Sequence, residues 1–419
     1  MPDEVAGPRR SAIVGTWLAI LGTAAALAVT LAPAAEPSLA PRGVRPALDL
    51  RDFILNLALL APVGAALRMR RWRLGAIFGY ALALSAAIEL LQLLLPIGRD
   101  ASLLDVVANT AGAGIAAWVG DRAARALQVS VASARWLAAT ALLAWVAQGM
   151  VTAWALQRDV PMAPQYYGQW AHVFRGMVPL AGTVTALVIQ NRPIPDDAVP
   201  ATPALRATLA EADTVTSRVD VTDLGRSLGR SQVAGVTNGA GELVAGFERD
   251  GCLIRFRFRT RGERFGLRSQ GVMVPTPCEM SGLTVITGRA TRASLAIAAT
   301  WHGEVREATV GLAPSLGWRL FVPMRWHGGV WDVLGSMVWV AVWGAPLALW
   351  LRAACPGHTA RAALLYGAGL LGGGALVAAA SGLGVGVPAD VLGAGLGWWL
   401  GGPALRRVQA GLNLYPTAA

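Results

Sequence analysis

Three carboxylates and three carboxamides stand in stretches that are otherwise hydrocarbon. Glu89 and Gln92 are three residues apart, Asp105 and Asn109 four apart, and Asp52 and Asn56 four apart. Each spacing puts its pair on one face of a helix. An ionisable group in hydrocarbon costs about 2.5–3.5 kcal/mol at a helix centre, so such groups turn toward a bundle interior or an aqueous cavity. Convergence of the three pairs would make a polar pocket. Asp52, Arg99 and Asp105 fall near the same ends of their segments and Glu89 lies about two turns deeper, with Arg99 as the natural counter-charge. Such a pocket could hold a phosphate or carboxylate through Arg99, or move a proton through Glu89. The plainer reading is interhelical hydrogen bonding, worth under about 1 kcal/mol per contact.

The elements that must carry these residues are apolar helices. Of 419 residues 54% are hydrophobic and 15% charged, with a mean hydropathy of +0.49, against about 25% charged in soluble domains. A span needs about 20 apolar residues. Eight candidates occur, at 12–31, 53–67, 74–95, 103–119, 136–155, 330–351, 362–383 and 391–400. Arg9 and Arg10 precede the first, and Ala32-Pro33-Ala34 follows it like a cleavage site. The run exceeds a signal-peptide core of about 7–15 residues, so the expectation is a retained helix. All 36 basic residues are Arg, and the net charge is +11. With the N-terminus inside, 13 Arg lie at cytoplasmic ends, 4 in short outer loops and 19 between Arg158 and Arg325. The positive-inside rule then puts both termini in the cytoplasm and the long central segment outside. The charge excess thus reads as orientation, and no nucleic-acid partner is expected.

That central segment, 158–328, loses the helical runs. In Ile254-Arg255-Phe256-Arg257-Phe258-Arg259 apolar and basic residues alternate, the period of a half-buried strand. Further strands are expected at 184–188, 271–274, 283–286, 295–300 and 305–310, and together they suggest an all-β sandwich. The Arg255, Arg257 and Arg259 face is expected to be solvated, with contact to an anionic glycan or lipid headgroup as the alternative. Cys252 and Cys278 lie in this segment and are expected to form a disulfide, while Cys355 sits at a cytoplasmic helix end. Gly225-Arg226-Ser227-Leu228-Gly229 has the letters of a nucleophile elbow without a strand before it and a helix after it. The four His have no metal-ligand spacing. Neither a metal nor a cofactor is expected, and the enzyme question stays open, with a non-enzymatic role favoured.

Asn56 to Gly64, Glu89-Leu-Leu-Gln92, Pro96, Arg99, Ser102, Asp105, Asn109-Thr110 and Gly112 follow one another in an order that resembles the VanZ-like membrane proteins. The likeness covers roughly residues 11–120. It implies a multi-pass cell-envelope protein, and the family takes its name from a factor in resistance to the lipoglycopeptide teicoplanin; it implies no particular reaction. Residues 179–193 resemble the closing strand of concanavalin A-like or laminin G-like jelly rolls. A degenerate repeat also shows: Asp332, Ser336 and Gly344 keep the offsets of Asp52, Asn56 and Gly64, and Asp390-Val391 before Gly393-Ala394-Gly395 echoes Asp105-Val106 before Gly112-Ala113-Gly114. The repeat, or chance Asp and Gly in Ala/Gly-rich helices, accounts equally for the match.

The expected architecture is therefore an α-helical polytopic membrane protein of about eight helices with an inserted extracytoplasmic all-β sandwich. Its parts are a four-helix VanZ-like unit at 1–135, a fifth helix at 136–157, the β domain at 158–328 and three helices at 329–419. The expected partners are membrane lipids and a lipid-linked glycan or anionic envelope polymer.

Overall fold

The computed structural model describes residues 6–31, 50–94, 101–126, 130–174, 177–322 and 329–412. The chain divides into two compact units, one of residues 1–136 with 352–356 and 402–419, the other of residues 137–351 with 357–401. The Ala32-Pro33-Ala34 segment and Arg99 lie outside the described residues.

In the first unit the helices are α1 (Ala6–Leu31), α2 (Leu50–Leu59), α3 (Ala61–Met69), α4 (Leu74–Leu94) and α5 (Leu103–Ala126). α2 and α3 together make one span, Leu50–Met69. The break between them falls at Leu60 because Pro62 enters the first turn of α3; proline lacks an N–H and its ring clashes with the preceding turn. Leu60, Val63, Leu67, Ile77, Ala81, Ala113 and Ala117 form the core of the unit. Small residues bring backbones close: an added Cβ at Gly64 would lie 2.0 Å from the Ala113 carbonyl oxygen, and one at Gly112 would lie 1.9 Å from that of Leu57. The outer faces remain apolar, with Leu82, Leu90, Leu94, Val107 and Ile115 exposed, as hydrocarbon-facing helices should be.

The second unit contains, among the described residues, most of α6 (Val131–Leu156), which begins in the first unit, then twelve strands and a short helix, and finally α8 (Val330–Ala354), α9 (Thr359–Ser381) and α10 (Val387–Leu412), of which α8 and α10 end in the first unit. The strands are β1 (Gln165–Trp170), β2 (Thr183–Ile189), β3 (Arg192–Pro193), β4 (Ala198–Pro200), β5 (Thr214–Leu224), β6 (Arg230–Asn238), β7 (Leu243–Asp250), β8 (Leu253–Phe258), β9 (Gln270–Pro275), β10 (Met280–Thr291), β11 (Ser294–Trp301) and β12 (Glu304–Gly311), with α7 (Pro203–Glu211) after β4. They form two antiparallel six-stranded sheets, ordered β4-β1-β6-β7-β8-β9 and β12-β11-β10-β5-β2-β3. Val219, Phe247, Phe256, Ile286 and Ile297 meet in the core. β11 alternates strictly between buried and half-buried residues, as a strand with one covered face must. Residues 179–193 supply β2 and β3 at one edge of a sheet, so the segment likened to a closing strand sits second and third in chain order.

Helix α9 packs on α6 through Gly369 and Gly373, whose added Cβ atoms would lie 3.3 Å from Leu142 and Val146, and the Trp145 indole donates to the Leu370 carbonyl at 2.9 Å. The paired small residues thus serve close packing.

All eight expected apolar segments are helical, and among the described residues six helices are long and apolar enough to cross a membrane. Within α1 the apolar stretch is the shorter Gly15–Ala24, and α10 carries Asp390, Arg406 and Arg407. The protein is a helical membrane protein with a β domain.

The Cys252–Cys278 disulfide forms, with 4.3 Å between the Cα atoms. It joins the turn entering β8 to the turn leaving β9, beside a backbone bond from Thr276 N–H to the Cys252 carbonyl at 2.8 Å. Closing a loop of this size removes conformations from the unfolded chain and stabilises by about 2–4 kcal/mol. Cys252→Ser/Cys278→Ser should therefore lower the unfolding temperature of the full chain, and dithiothreitol should lower that of the parent without affecting the variant. An unchanged transition would show that the bond adds nothing to the sheet.

Candidate functional site

Helix α4 buries Ser85, Glu89 and Gln92, residues whose spacing of four and three places them in one row. Helix α5 and the residues entering it supply partners for that row. The Asn109 amide donates to Ser85 Oγ at 2.9 Å, and the Ser102 backbone N–H donates to Glu89 Oε2 at 2.7 Å. The Gln92 amide reaches α1, donating to the Thr30 carbonyl at 3.2 Å. Ser102 Oγ accepts from the Asp105 N–H at 3.4 Å, leaving Asp105 half-buried. Glu89, Asp105 and Asn109 therefore lie along one seam between α4 and α5, while Gln92, on the same row of α4, faces α1.

The seam is polar and dry. Glu89 is 8% exposed and Asn109 1%, and Asn109 Oδ1 has no hydrogen-bond partner among the described residues. A carboxylate at the start of α5 also meets the positive end of the helix dipole, which favours its charge by about 0.3–1 kcal/mol. Glu89 is thus the acceptor that anchors the entry to α5.

Asp52 and Asn56 are half-buried on α2, which packs on α5 where Leu57 meets Gly112. Asp52 pairs with Arg51 at 2.9 Å, a cation that the sequence suggested only as an orientation signal. Ser85 and Thr30 are the members of this network that the charge pattern did not show. Ser85 stands one turn before Glu89 on the same face, which was the available clue.

The basic strand of the β domain differs from both expectations. Arg255 is 6% exposed and Arg259 9%, and each is paired. Arg255 binds Asp250 at 2.7 Å, Arg257 binds Glu248 at 2.7 Å and Glu263 at 3.6 Å, and Arg259 binds Asp159 and Glu242, both at 3.1 Å. The reason is position. β8 is an interior strand between β7 and β9, and carboxylates from β7 and the 3-10 turn Arg261–Phe265 cover its basic face. Burial works against the charge of Arg257, and Glu248 and Glu263 outweigh it, so the guanidinium pKa rises. The strand therefore presents neither a solvated face nor a free basic patch.

Ser227 lies in the loop between β5 and β6, with its hydroxyl donating to the Gly229 carbonyl. Contrary to expectation a strand, β5, runs directly into this loop, but β6 rather than a helix follows, so the strand-turn-helix setting of a nucleophile is incomplete. Among the described residues no group of three His, Cys, Asp or Glu side chains is arranged to hold a metal ion.

Residues 16–121 match the VanZ/LLP1 family model. This interval contains α4, most of α5 and the seven candidate polar residues, of which Asn56, Glu89, Gln92, Arg99, Asp105 and Asn109 belong to the resemblance and Asp52 precedes it. No curated protein and no solved structure matches the chain.

Proposed function

We propose that this chain, with its VanZ-like domain at residues 16–121, binds a lipid-linked or glycan component of the cell envelope through the α4–α5 seam. The observation that carries the reading is a buried carboxylate, Glu89, in one seam with half-buried Asp105 and with an unpartnered acceptor on Asn109. Groups of this kind are expensive in a membrane unless they meet a ligand or each other. Asp52 and Asn56 extend the polar surface along α2, and Arg99 would supply the grip on a phosphate or carboxylate. Sequestering such a component would alter susceptibility to glycopeptide antibiotics. The VanZ-like unit leads into α6, and the β domain at 158–328 faces away from the cytoplasm. The Arg distribution and the Cys252–Cys278 bond, which belongs in an oxidising compartment, support that orientation.

A structural scaffold is the second reading, favoured by the bond from Ser102 N–H to Glu89. Glu89→Gln separates the two, because a carboxamide oxygen still accepts from Ser102 while the charge is gone. Lipids retained by the purified full chain are compared by mass spectrometry for the parent, Glu89→Gln and Asp105→Asn. The binding reading expects the variants to accumulate normally, unfold within about 1 kcal/mol of the parent and lose about tenfold or more of one retained lipid. Unchanged retention and unchanged antibiotic susceptibility at equal protein level leave the scaffold standing and remove the binding site.

A further inference from the structure

Two helix crossings in different parts of the chain share one register. In the first unit an added Cβ at Gly112 would meet the Leu57 carbonyl oxygen at 1.9 Å, and in the second an added Cβ at Gly393 would meet that of Met337 at 2.7 Å. Leu57 follows Asn56 and Met337 follows Ser336, the two positions that the repeat equates. The α8–α10 crossing therefore repeats the α2–α5 crossing, and it sets Asp332 and Ser336 in the places of Asp52 and Asn56. It also aligns Asp390 with Asn109, since each stands three residues before its glycine; the echo with Asp105 is shifted by about one helical turn.

At this second crossing there is a cavity of about 400 Å³, bounded by β9, β12, the 3-10 turn Pro314–Leu320, the first turns of α8 and the connection from α9 to α10. Its size suits a small ligand or headgroup. Arg319 enters it from the β domain and is 0% exposed. Its Nη2 donates to the Gly271 carbonyl at 3.1 Å, and its Nε lies 3.5 Å from Asp332 Oδ1. Nε and Nη1 of Arg319, and Oδ1 of Asp332, have no hydrogen-bond partner among the described residues. Burial lowers the pKa of Arg319 to about 10, with Asp332 opposing the shift, so it remains a cation at neutral pH. A fully buried guanidinium with unused donors, which meets its 21% exposed carboxylate partner only at 3.5 Å, is costly until something supplies a better acceptor to it and a donor to the carboxylate.

We infer that this cavity is a second polar site, in which Arg319 of the β domain provides the cation and the bound group is the phosphoethanolamine headgroup of a membrane lipid. The phosphate accepts from Nη1 of Arg319 and from Nε, in place of the long contact between Nε and Asp332, the charge-assisted geometry that a guanidinium favours. The ammonium donates to Asp332. Val310, Val333, Val385 and Pro388 line the remaining walls and suit the glycerol and first acyl carbons. Asp332 and Asp390 stand in the first turns of α8 and α10, the ends of two apolar helices, where headgroups lie. The residues are distinct from those of the α4–α5 seam, so the two sites stand or fall separately.

The test uses the full chain in nanodiscs that contain phosphatidylethanolamine, phosphatidylglycerol and phosphatidylcholine in equal amounts, with retained lipid read by native mass spectrometry. Phosphatidylethanolamine should be retained about tenfold over phosphatidylcholine, which has a cation but no N–H to donate, and over phosphatidylglycerol, which has no cation. Arg319→Gln should abolish the preference. Val385→Trp should do so as well, since Val385 is 53% exposed and lines the cavity, so that a large ring fills the space without disturbing a core. Equal retention of the three lipids, or a preference that survives Val385→Trp in a folded protein, would overturn the inference. Displacement by soluble O-phosphoethanolamine as potent as by the lipid would overturn the assignment to a lipid.

Discussion

Gly112→Val should prevent the VanZ-like unit from assembling normally. Its Cβ would lie 1.9 Å from the Leu57 carbonyl oxygen, and the obstacle is backbone, which cannot rotate aside as a side chain can. Separation of α2 from α5 then removes the packing that substitutes for a hydrophobic driving force between helices in lipid. Overpacking of this type costs about 1–3 kcal/mol and sometimes more, and the larger end is expected here because two backbones are in contact. Gly64→Val should act similarly against Ala113, whose carbonyl oxygen would lie 2.0 Å from the new Cβ. Gly79→Ala and Gly120→Ala are the controls, having nothing within 4 Å of an added Cβ. Thermal unfolding of purified full chain and its steady-state level are the readouts. Wild-type stability in Gly112→Val, or an equal loss in the controls, would show that the close approach is not what holds the unit.

Asp159→Asn should destabilise the other unit by about 3 kcal/mol, the scale for removing one partner from a buried ion pair. Asp159 is 3% exposed and stands three residues beyond the end of α6. It binds Arg259 at the end of β8 at 3.1 Å and Arg264 of the neighbouring 3-10 turn, while its own N–H donates to the Arg259 carbonyl at 2.9 Å. The carboxylate therefore fixes where the chain leaving the apolar helix enters the β domain. Burial raises its pKa, but the hydrogen bonds and charges of Arg264 and Arg259 prevail, and the net shift is downward. A depressed folded pKa means stability present above the unfolded value of about 3.9 and lost as pH falls through the folded value. The parent should lose stability over that acid window and Asp159→Asn should lose less. Equal acid sensitivity would remove Asp159 as the cause, and unaltered unfolding at neutral pH would remove it as a clamp.

The β domain shows where reading the sequence stops. β2, β8, β9, β10, β11 and β12 coincide with expected strands because each keeps alternating or continuous apolar residues. β1, β4, β5, β6 and β7 do not coincide with expected strands, although β5 alternates, and the last two show the physical limit. Nearly every residue of each is buried, so no wet face imposes a period of two, and Ser231, Gln232, Glu248 and Arg249 are buried polar residues that look like surface in a sequence. Arg255 and Arg259 were misjudged for the same reason: alternation reveals that two faces exist, and it does not reveal that carboxylates of adjacent segments cover the second one.

In the membrane part, charge scarcity made Glu89, Asp105 and their carboxamide neighbours conspicuous, and helical spacing was sufficient to pair them. Ser85 and Thr30 carry no charge and do not stand out in an Ala- and Ser-containing helix, so their role appears only when α5 and α1 dock. Arg319 is the clearest case. In sequence it is one of 19 Arg in the central segment, while in three dimensions it is the buried cation facing Asp332.

The sequence by itself determined that the chain is a helical membrane protein with a β insertion, where six of its membrane-length helices run, and which disulfide closes. Those properties follow from local composition and periodicity, because lipid requires every exposed backbone group to be satisfied within its own helix. Only the tertiary structure decided which polar residues share a seam, which Arg are neutralised, and which remain without partners in a cavity. Those outcomes depend on side chains brought together from distant segments, where burial removes water and makes each unpaired charge count.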